Sequence, residues 1–146
     1  MRASLLERVK VMKLPPGRGE TILIVDDDDL VRPSAVSLIE SLGYRVLSAS
    51  NGHDALEILR QNTRIDLLFT DLFMPGGMHG PQLVAEARRL RPELKVLYAS
   101  GYLNYSVLRR GLDPGIEKVS KPYWPDELAA KLREILDSHT PVADDQ

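Results

Sequence analysis

Five short apolar runs that alternate with helical patterns constrain the fold of this 146-residue chain more than any other feature. The runs have the length of strands, and their apolar character indicates strands that are covered on both faces. The predicted strands are Glu20 to Val25, Tyr44 to Ala49, Arg64 to Thr70, Leu94 to Ala99 and Ile116 to Ser120. The predicted helices are about Leu30 to Leu42, Asn51 to Gln61, Gly80 to Leu90, Tyr102 to Arg110, and a last one from Pro125 onward.

Alternation of strands and helices predicts a parallel sheet, because short right-handed crossovers place helices on both faces. We therefore predict an α/β fold with a doubly wound, five-stranded parallel sheet. The expected strand order is 2-1-3-4-5, the flavodoxin-like arrangement. A closed barrel of this kind needs eight units and is excluded by the length of the chain.

The ends of the chain differ from its middle. Pro15-Pro16-Gly17-Arg18-Gly19 is typical of a linker. Residues 1–19 are therefore predicted to form an N-terminal tail or linker, residues 20–138 the folded domain, and residues 139–146 a polar C-terminal tail. Leu5, Val9 and Met12 share one helical face, so a docking or dimerisation element remains the alternative for the first segment.

Composition excludes several classes of function. The absence of cysteine rules out disulfides and thiolate metal sites, and it fits a reducing cytoplasm. There is no signal-peptide pattern, and no apolar run approaches the roughly 18 residues of a membrane span. No basic stripe with interleaved aromatic residues is present, so neither nucleic acid nor a membrane is an expected partner.

Polar residues lie where the predicted strands end. Asp26 and Asp27 follow the first strand, and Asp71 follows the third. Ser100 follows the fourth strand and Lys121 follows the fifth. In the order 2-1-3-4-5 the chain reverses direction between strands one and three, which is where open α/β sheets bind ligands.

Three carboxylates brought together repel one another, so this edge requires a cation. Oxygen ligands with room for water favour Mg²⁺, with Mn²⁺ as an alternative, over zinc. A metal, the Lys121 amine and the Ser100 hydroxyl around Asp71 suit transfer of a phosphoryl group to that carboxylate.

Each of these features has a structural explanation when it is taken alone. Asp71 is a common turn residue, Asp26 to Asp29 could be a solvated helix start, and Ser100-Gly101 could be a simple turn. Lys121-Pro122 could merely end a strand. Their joint placement at four strand ends favours a functional site.

From about Glu20 to Asp137 the chain resembles the receiver domain of two-component response regulators. The matching motifs are Ile24-Val25-Asp26-Asp27, Thr70-Asp71-Leu72-Phe73-Met74-Pro75-Gly76, Ala99-Ser100-Gly101 and Ser120-Lys121-Pro122. Gly76-Gly77 and Leu97-Tyr98-Ala99-Ser100-Gly101-Tyr102 are similar to receivers at the C-terminus of hybrid sensor histidine kinases.

The resemblance implies a role for each site residue. Asp71 would be the phospho-acceptor, and Asp27, Asp71 and the backbone carbonyl of Phe73 would bind Mg²⁺ directly. Asp26 would reach the metal through water. Ser100, Gly101 and Lys121 would bind the phosphoryl group.

The implied partners are proteins. A histidine kinase or histidine phosphotransfer protein would donate the phosphoryl group, and a downstream protein would bind a face built from the fourth helix, the fifth strand and the last helix. We expect no DNA-binding output domain after Asp137, and homodimerisation stays open. Lys118 stands where the family often has an aromatic switch residue, which argues against a switch by an aromatic rotamer.

Two other functions are compatible with parts of the pattern. A phosphatase with an aspartyl-phosphate intermediate usually has an acid two residues after the nucleophile, and here that residue is Phe73. A receiver-like interaction module that no longer takes phosphate would not need all five polar residues. We therefore expect no enzyme activity beyond the chain's own phosphorylation and dephosphorylation.

Overall fold

A computed structural model of the chain describes residues 14–61, 64–101 and 117–138. These residues form five strands and four helices. The strands are β1 (Thr21–Val25), β2 (Arg45–Ala49), β3 (Leu67–Asp71), β4 (Lys95–Gly101) and β5 (Lys118–Lys121). The helices are α1 (Val31–Ser41), α2 (Gly52–Gln61), α3 (Gly80–Leu90) and α4 (Pro125–Asp137).

The strands form one parallel sheet in the order β2-β1-β3-β4-β5, so the predicted topology is confirmed. β1 and β3 are neighbours with Ile22 opposite Leu67. β3 and β4 pair with Asp71 opposite Ala99. Both Asp26 and Asp71 therefore reach the same edge of the sheet, at the carboxyl ends of adjacent strands.

A hydrophobic core lies on each face of the sheet. On one face α2 and α3 cover residues such as Leu23, Leu68 and Val96. On the other face α1 and α4 cover residues such as Ile24, Phe69 and Leu97. All five residues of β1 and of β3 are buried, which explains their continuous apolar character.

Several strand boundaries differ from the predictions. β3 begins at Leu67 rather than Arg64. The Thr21 amide donates to the Asp66 carboxylate at 2.8 Å, so a side chain replaces the backbone carbonyl that would accept this hydrogen bond in a continued strand. β3 also ends at Asp71, one residue beyond the predicted end at Thr70. β4 and β5 extend to Gly101 and Lys121, which pair with each other. Ser100 and Lys121 are thus strand residues rather than the loop residues we expected.

The segment before β1 packs on the domain. The Gly17 amide donates to the Leu42 carbonyl at 2.6 Å, and the Gly19 amide donates to the Gly43 carbonyl at 3.2 Å. Leu14 packs against the core between α1 and α4. Residues 14–19 are therefore in contact with the domain, although the sequence suggested a linker.

An ion cluster holds this segment to α4. The Arg133 guanidinium contacts Glu20 at 2.9 Å and also pairs with Asp137. It donates to the Tyr44 hydroxyl at 3.5 Å and to the Pro16 carbonyl at 3.4 Å. We call Glu20, Tyr44, Arg133 and Asp137 the Arg133 cluster.

Some predictions fall outside the described residues, namely the fourth helix (Tyr102 to Arg110), residues 1–13 of the N-terminal segment and the tail 139–146. Among the residues that are described, no helix combines the length and apolar character needed to cross a membrane.

Candidate functional site

Three carboxylates meet at the carboxyl edge of the sheet. Asp26 follows β1 directly, Asp27 is next to it, and Asp71 ends β3. One oxygen from each of the three lies within 4.8 Å of the others. Asp26 and Asp71 are each only 5% exposed, whereas Asp27 is exposed to solvent. The expected convergence of acids is therefore present in the structure.

Lys121 reaches the same point from the end of β5. Its Nζ lies 2.6 Å from an Asp71 oxygen and 3.3 Å from an Asp26 oxygen. Because Lys121 is on the outermost strand, its side chain must extend across β4 to make these contacts. One ammonium group thus contacts two of the three clustered carboxylates, those of Asp26 and Asp71.

The shortage of positive charge affects the ionisation of the site. Burial raises the pKa of the Asp71 carboxyl to about 7, and the nearby Asp26 adds to this rise while Lys121 opposes it. Burial alone would lower the pKa of Lys121, but Asp71 and Asp26 outweigh burial and raise it. The ammonium form of Lys121 is therefore favoured, while one positive charge does not offset the buried acids.

The loop after β1 is fixed by its own aspartates. Asp26 Oδ1 accepts the amide of Asp28 at 2.9 Å, and Asp28 Oδ1 accepts the amides of Leu30 and Val31 at 2.8 and 3.1 Å. Asp28 thereby caps α1. Arg32 donates to the Asp26 carbonyl at 2.8 Å. The run of four aspartates therefore contains both helix-capping and site residues.

Ser100 and Gly101 lie beside the acids on β4. Ser100 is 4% exposed and follows Ala99, the residue paired with Asp71. Within the described chain, Ser100 makes no hydrogen bond to Asp71. Gly101 pairs with Lys121, so it lies at the same edge. The structure brings Asp26, Asp27, Asp71 and Lys121 together and places Ser100 and Gly101 at their margin.

The loop from β3 to α3 carries Phe73 and a residue that sequence reasoning missed. The His79 ring stacks on the Phe73 ring, with centroids 4.8 Å apart and planes at 16°. His79 Nδ1 also accepts the Met74 amide at 2.9 Å. A histidine placed directly before Gly80 and Pro81, at a predicted helix start, was the available signal.

A divalent cation suits this site. Carboxylate oxygens are the ligands of Mg²⁺, and cis ligands at about 2.1 Å from it lie about 3 Å apart. One oxygen from each acid lies within 4.8 Å of the others, so the three acids are close enough to bind one ion, directly or through water. A small cavity of about 10 Å³ beside the acids is lined by Asp26, Asp71 and Lys121 together with mostly apolar residues such as Phe69 and Ala99. The residues therefore fit a divalent cation that prefers oxygen ligands, such as Mg²⁺ or Mn²⁺.

Comparisons with known proteins agree with the fold and the site. The family model for the response regulator receiver domain matches residues 22–133. The chain is 34% identical over 119 residues to the sensor kinase CckA of Brucella abortus, which covers 80% of this chain and 12% of the kinase. It is 32% identical over 116 residues to the response regulator receiver protein CpdR of Brucella abortus, which covers 79% of this chain and 95% of CpdR.

Solved structures show the same architecture. A response regulator receiver domain protein from Clostridium thermocellum superposes with a TM-score of 0.73 at 25% identity, covering 81% of this chain and 94% of that one. The chain spans about half of some curated relatives, such as 53% of the transcriptional regulatory protein YbdJ of Bacillus subtilis. The match to a sensor kinase agrees with the resemblance to hybrid-kinase receivers. The chain therefore belongs to the response regulator receiver domain family of two-component signalling.

Proposed function

We propose that this domain accepts a phosphoryl group on Asp71 from a phosphohistidine of a histidine kinase or phosphotransfer protein, in a reaction that depends on Mg²⁺. The observation that carries the proposal is the buried Asp71 carboxylate, which lies 2.6 Å from Lys121 and is clustered with two more acids. A buried group with excess charge beside a fixed amine is costly for stability, and such sites are often functional.

In this reaction an Asp71 oxygen attacks the phosphorus atom of the donor. The phosphorus–nitrogen bond breaks, its electron pair stays on the imidazole nitrogen, and an acyl phosphate forms on Asp71. Lys121 contacts Asp71 before the transfer and would pair with a phosphoryl oxygen afterwards. No external substrate is turned over, so we propose that the chain is not an enzyme apart from its own phosphorylation and dephosphorylation.

Asp27, Asp71 and the Phe73 carbonyl would hold the metal, and Asp26 would bind one of its waters. The bound ion would neutralise the acids and the phosphoryl oxygens as charge shifts between them. Asp26 is buried and bonded to Lys121, whereas Asp27 is exposed, which supports a direct metal contact for Asp27 and an indirect one for Asp26.

The acyl phosphate would change a neighbouring surface. It adds charge next to β4 and β5, where Ser100 and Gly101 could donate to its oxygens. Movement of Ser100 toward that charge would shift β5 and α4 between two packings, which a downstream protein reads. Lys118 begins β5 and is exposed, so a charged side chain rather than an aromatic ring occupies the usual switch position.

The phosphoryl donor must approach this edge, where large apolar side chains are exposed. Leu30 is 87% exposed in the loop after β1, and Trp124 is 73% exposed in the loop after β5. We propose that they contact the donor protein. Leu30→Ser and Trp124→Ser should slow transfer from a phosphohistidine protein about tenfold and leave labelling by a small phosphoryl donor unchanged. Equal slowing with both donors would contradict this assignment.

Intact-mass measurement tests the proposed function directly. The wild-type protein, incubated with Mg²⁺ and acetyl phosphate, should gain one phosphoryl group, and peptide mapping should locate it on Asp71. Asp71→Asn is the matched control because it keeps the shape of the side chain and removes the nucleophile. Labelling of both proteins to the same extent would overturn the assignment, as would labelling that persists with excess chelator.

A further inference from the structure

We propose that His79 is a positioning residue that orients the peptide between Phe73 and Met74 so that the Phe73 carbonyl faces the metal. The inference rests on the proposed function, which makes that carbonyl a metal ligand. It assigns a role to a side chain that is not one of the site residues already described, namely the three acids, Ser100 and Lys121.

The first contact fixes the plane of this peptide. His79 Nδ1 lies 2.9 Å from the Met74 nitrogen. An amide can only donate, so Nδ1 accepts and the proton of the neutral ring is on Nε2. The Met74 N–H and the Phe73 carbonyl belong to one planar trans peptide and point in opposite directions. Holding the N–H toward His79 therefore holds the carbonyl away from it.

The second contact fixes the residue that carries the carbonyl. The rings of Phe73 and His79 are stacked, with centroids 4.8 Å apart and planes at 16°. One side chain thus holds the peptide at both ends, by a ring contact on Phe73 and by a hydrogen bond to Met74. Among the described residues, no donor is bonded to the Phe73 carbonyl, so that oxygen is available as a ligand.

His79 is itself held by the start of α3. Its backbone amide donates to Gln82 Oε1 at 3.0 Å, and its carbonyl accepts the Leu83 amide at 3.0 Å. The Gly80 amide donates to the Leu72 carbonyl at 3.0 Å. A Cβ atom on Gly80 would collide with the Asp71 carbonyl, so α3 begins directly against the end of β3. This rigid contact sets the position of His79 relative to Asp71.

The hydrogen bond also affects the strength of the ligand. Donation of the Met74 N–H to an imidazole nitrogen polarises the amide and places more negative charge on the Phe73 oxygen. Partners of this kind beyond the ligands themselves commonly change metal affinity by about 10-fold to 100-fold. Capping of α3 is the competing explanation, because His79 and Gln82 form a capping box at the start of that helix.

Matched variants separate these explanations. His79→Asn keeps an acceptor near the position of Nδ1 but lacks the ring, and His79→Phe keeps a ring but lacks the acceptor. Gln82→Ala weakens the capping contact alone. We would measure Mg²⁺ affinity by calorimetry, and hydrogen exchange of the Met74 amide by NMR in metal-free protein.

We expect His79→Phe to weaken Mg²⁺ binding about tenfold and to speed exchange of the Met74 amide. His79→Asn should stay within about threefold of the wild type, and Gln82→Ala should match the wild type in both measurements. Unchanged Mg²⁺ affinity in His79→Phe, or equal weakening in Gln82→Ala, would overturn the inference.

Two controls keep this result interpretable. If His79→Phe does not fold, as judged by circular dichroism, the smaller His79→Leu takes its place with the same expected result. If the wild type does not bind Mg²⁺, the proposed function fails. The exchange of the Met74 amide then still tests whether His79 holds this peptide.

Discussion

The two ends of β1 carry ion clusters that differ in their balance of charge. At the amino end, Arg133 and Arg18 face Glu20 and Asp137, so positive and negative charges are equal in number. At the carboxyl end, Lys121 pairs with Asp26 and Asp71, and Asp27 is clustered with these two acids, so within the described residues this acid cluster has more carboxylates than paired ammonium groups. The six-residue step from Glu20 to Asp26 separates the two clusters by roughly 20 Å.

This difference separates a structural role from a functional one. Burial alone would raise the pKa of Glu20, but hydrogen bonds from Arg133 and from the Arg18 amide lower it, so its charged form is stabilised. At the other end, burial raises the pKa of Asp71 to about 7. We therefore expect the Arg133 cluster to contribute to stability and the site, whose acids could hold a metal ion, to lower it.

Arg133→Met should have the largest effect on stability. Removing the guanidinium leaves the largely buried Glu20 carboxylate without its partner, which should lower the free energy of unfolding by about 3 kcal/mol. Urea denaturation measures this loss. Arg18→Met, at an exposed ion pair, is the control and should leave the urea midpoint nearly unchanged. Similar midpoints for the two variants would show that the Arg133 cluster is not structural.

Asp71→Asn should raise the free energy of unfolding of the metal-free protein, whereas Arg133→Met should lower it. The folded pKa of Asp71, about 7, lies above the ordinary value of 3.8, so the contribution of this group to stability falls as pH rises from about 4 to 7. At pH 8 the asparagine variant should be more stable than wild type by about 2 kcal/mol, with the difference vanishing near pH 4. Urea unfolding in a chelator at several pH values measures this, and a variant less stable at pH 8 would contradict it.

The Arg133 cluster should respond to pH in the opposite direction. Because the folded pKa of Glu20 is lowered from 4.5, its contribution is complete above that value and is lost as pH falls through the folded pKa. The stability difference between wild type and Glu20→Gln should therefore shrink below about pH 4.5. A difference that grows on acidification would be inconsistent with an ionised Glu20 in the Arg133 cluster.

Gly17→Ala should have a smaller effect at the amino end. A Cβ atom at Gly17 would lie 2.7 Å from backbone atoms of Gly43, which cannot move as a side chain would. We expect a loss of about 1 kcal/mol in urea denaturation as residues 14–19 lose their contact. Gly77→Ala, with no atom within 4 Å, is the control and should be neutral. An unchanged urea midpoint in Gly17→Ala would show that the contact of residues 14–19 with the domain does not contribute to stability.

The sequence predicted the carboxyl end better than the amino end, for a physical reason. Strand order and the approximate positions of the strands follow from local apolar patterns and chirality, which place Asp26, Asp71 and Lys121 at one edge. Arg133 resembles any charged residue on a helix surface, and its partners Tyr44 and Glu20 lie 89 and 113 residues away in the chain. No local pattern encodes such contacts, so the Arg133 cluster could not be predicted.

The same limit applies to details of the site. The extension of β4 and β5 to Gly101 and Lys121 depends on pairing between strands, which their own residues do not specify. The contact of His79 with Met74 depends on the path of the loop through Gly76, whose φ of +89° only glycine adopts readily. The roles of individual site residues remain predictions that binding measurements must test.

Calorimetric titration with Mg²⁺ tests the central claim most directly. The claim is that the acid cluster at the carboxyl end of β1 binds a cation and that the charge-balanced Arg133 cluster at the amino end does not. We expect wild type to bind one Mg²⁺ per chain, Asp27→Ala to lose this binding, and Asp137→Ala to keep it unchanged. No Mg²⁺ binding by wild type, or equal affinity in wild type and Asp27→Ala, would contradict the account.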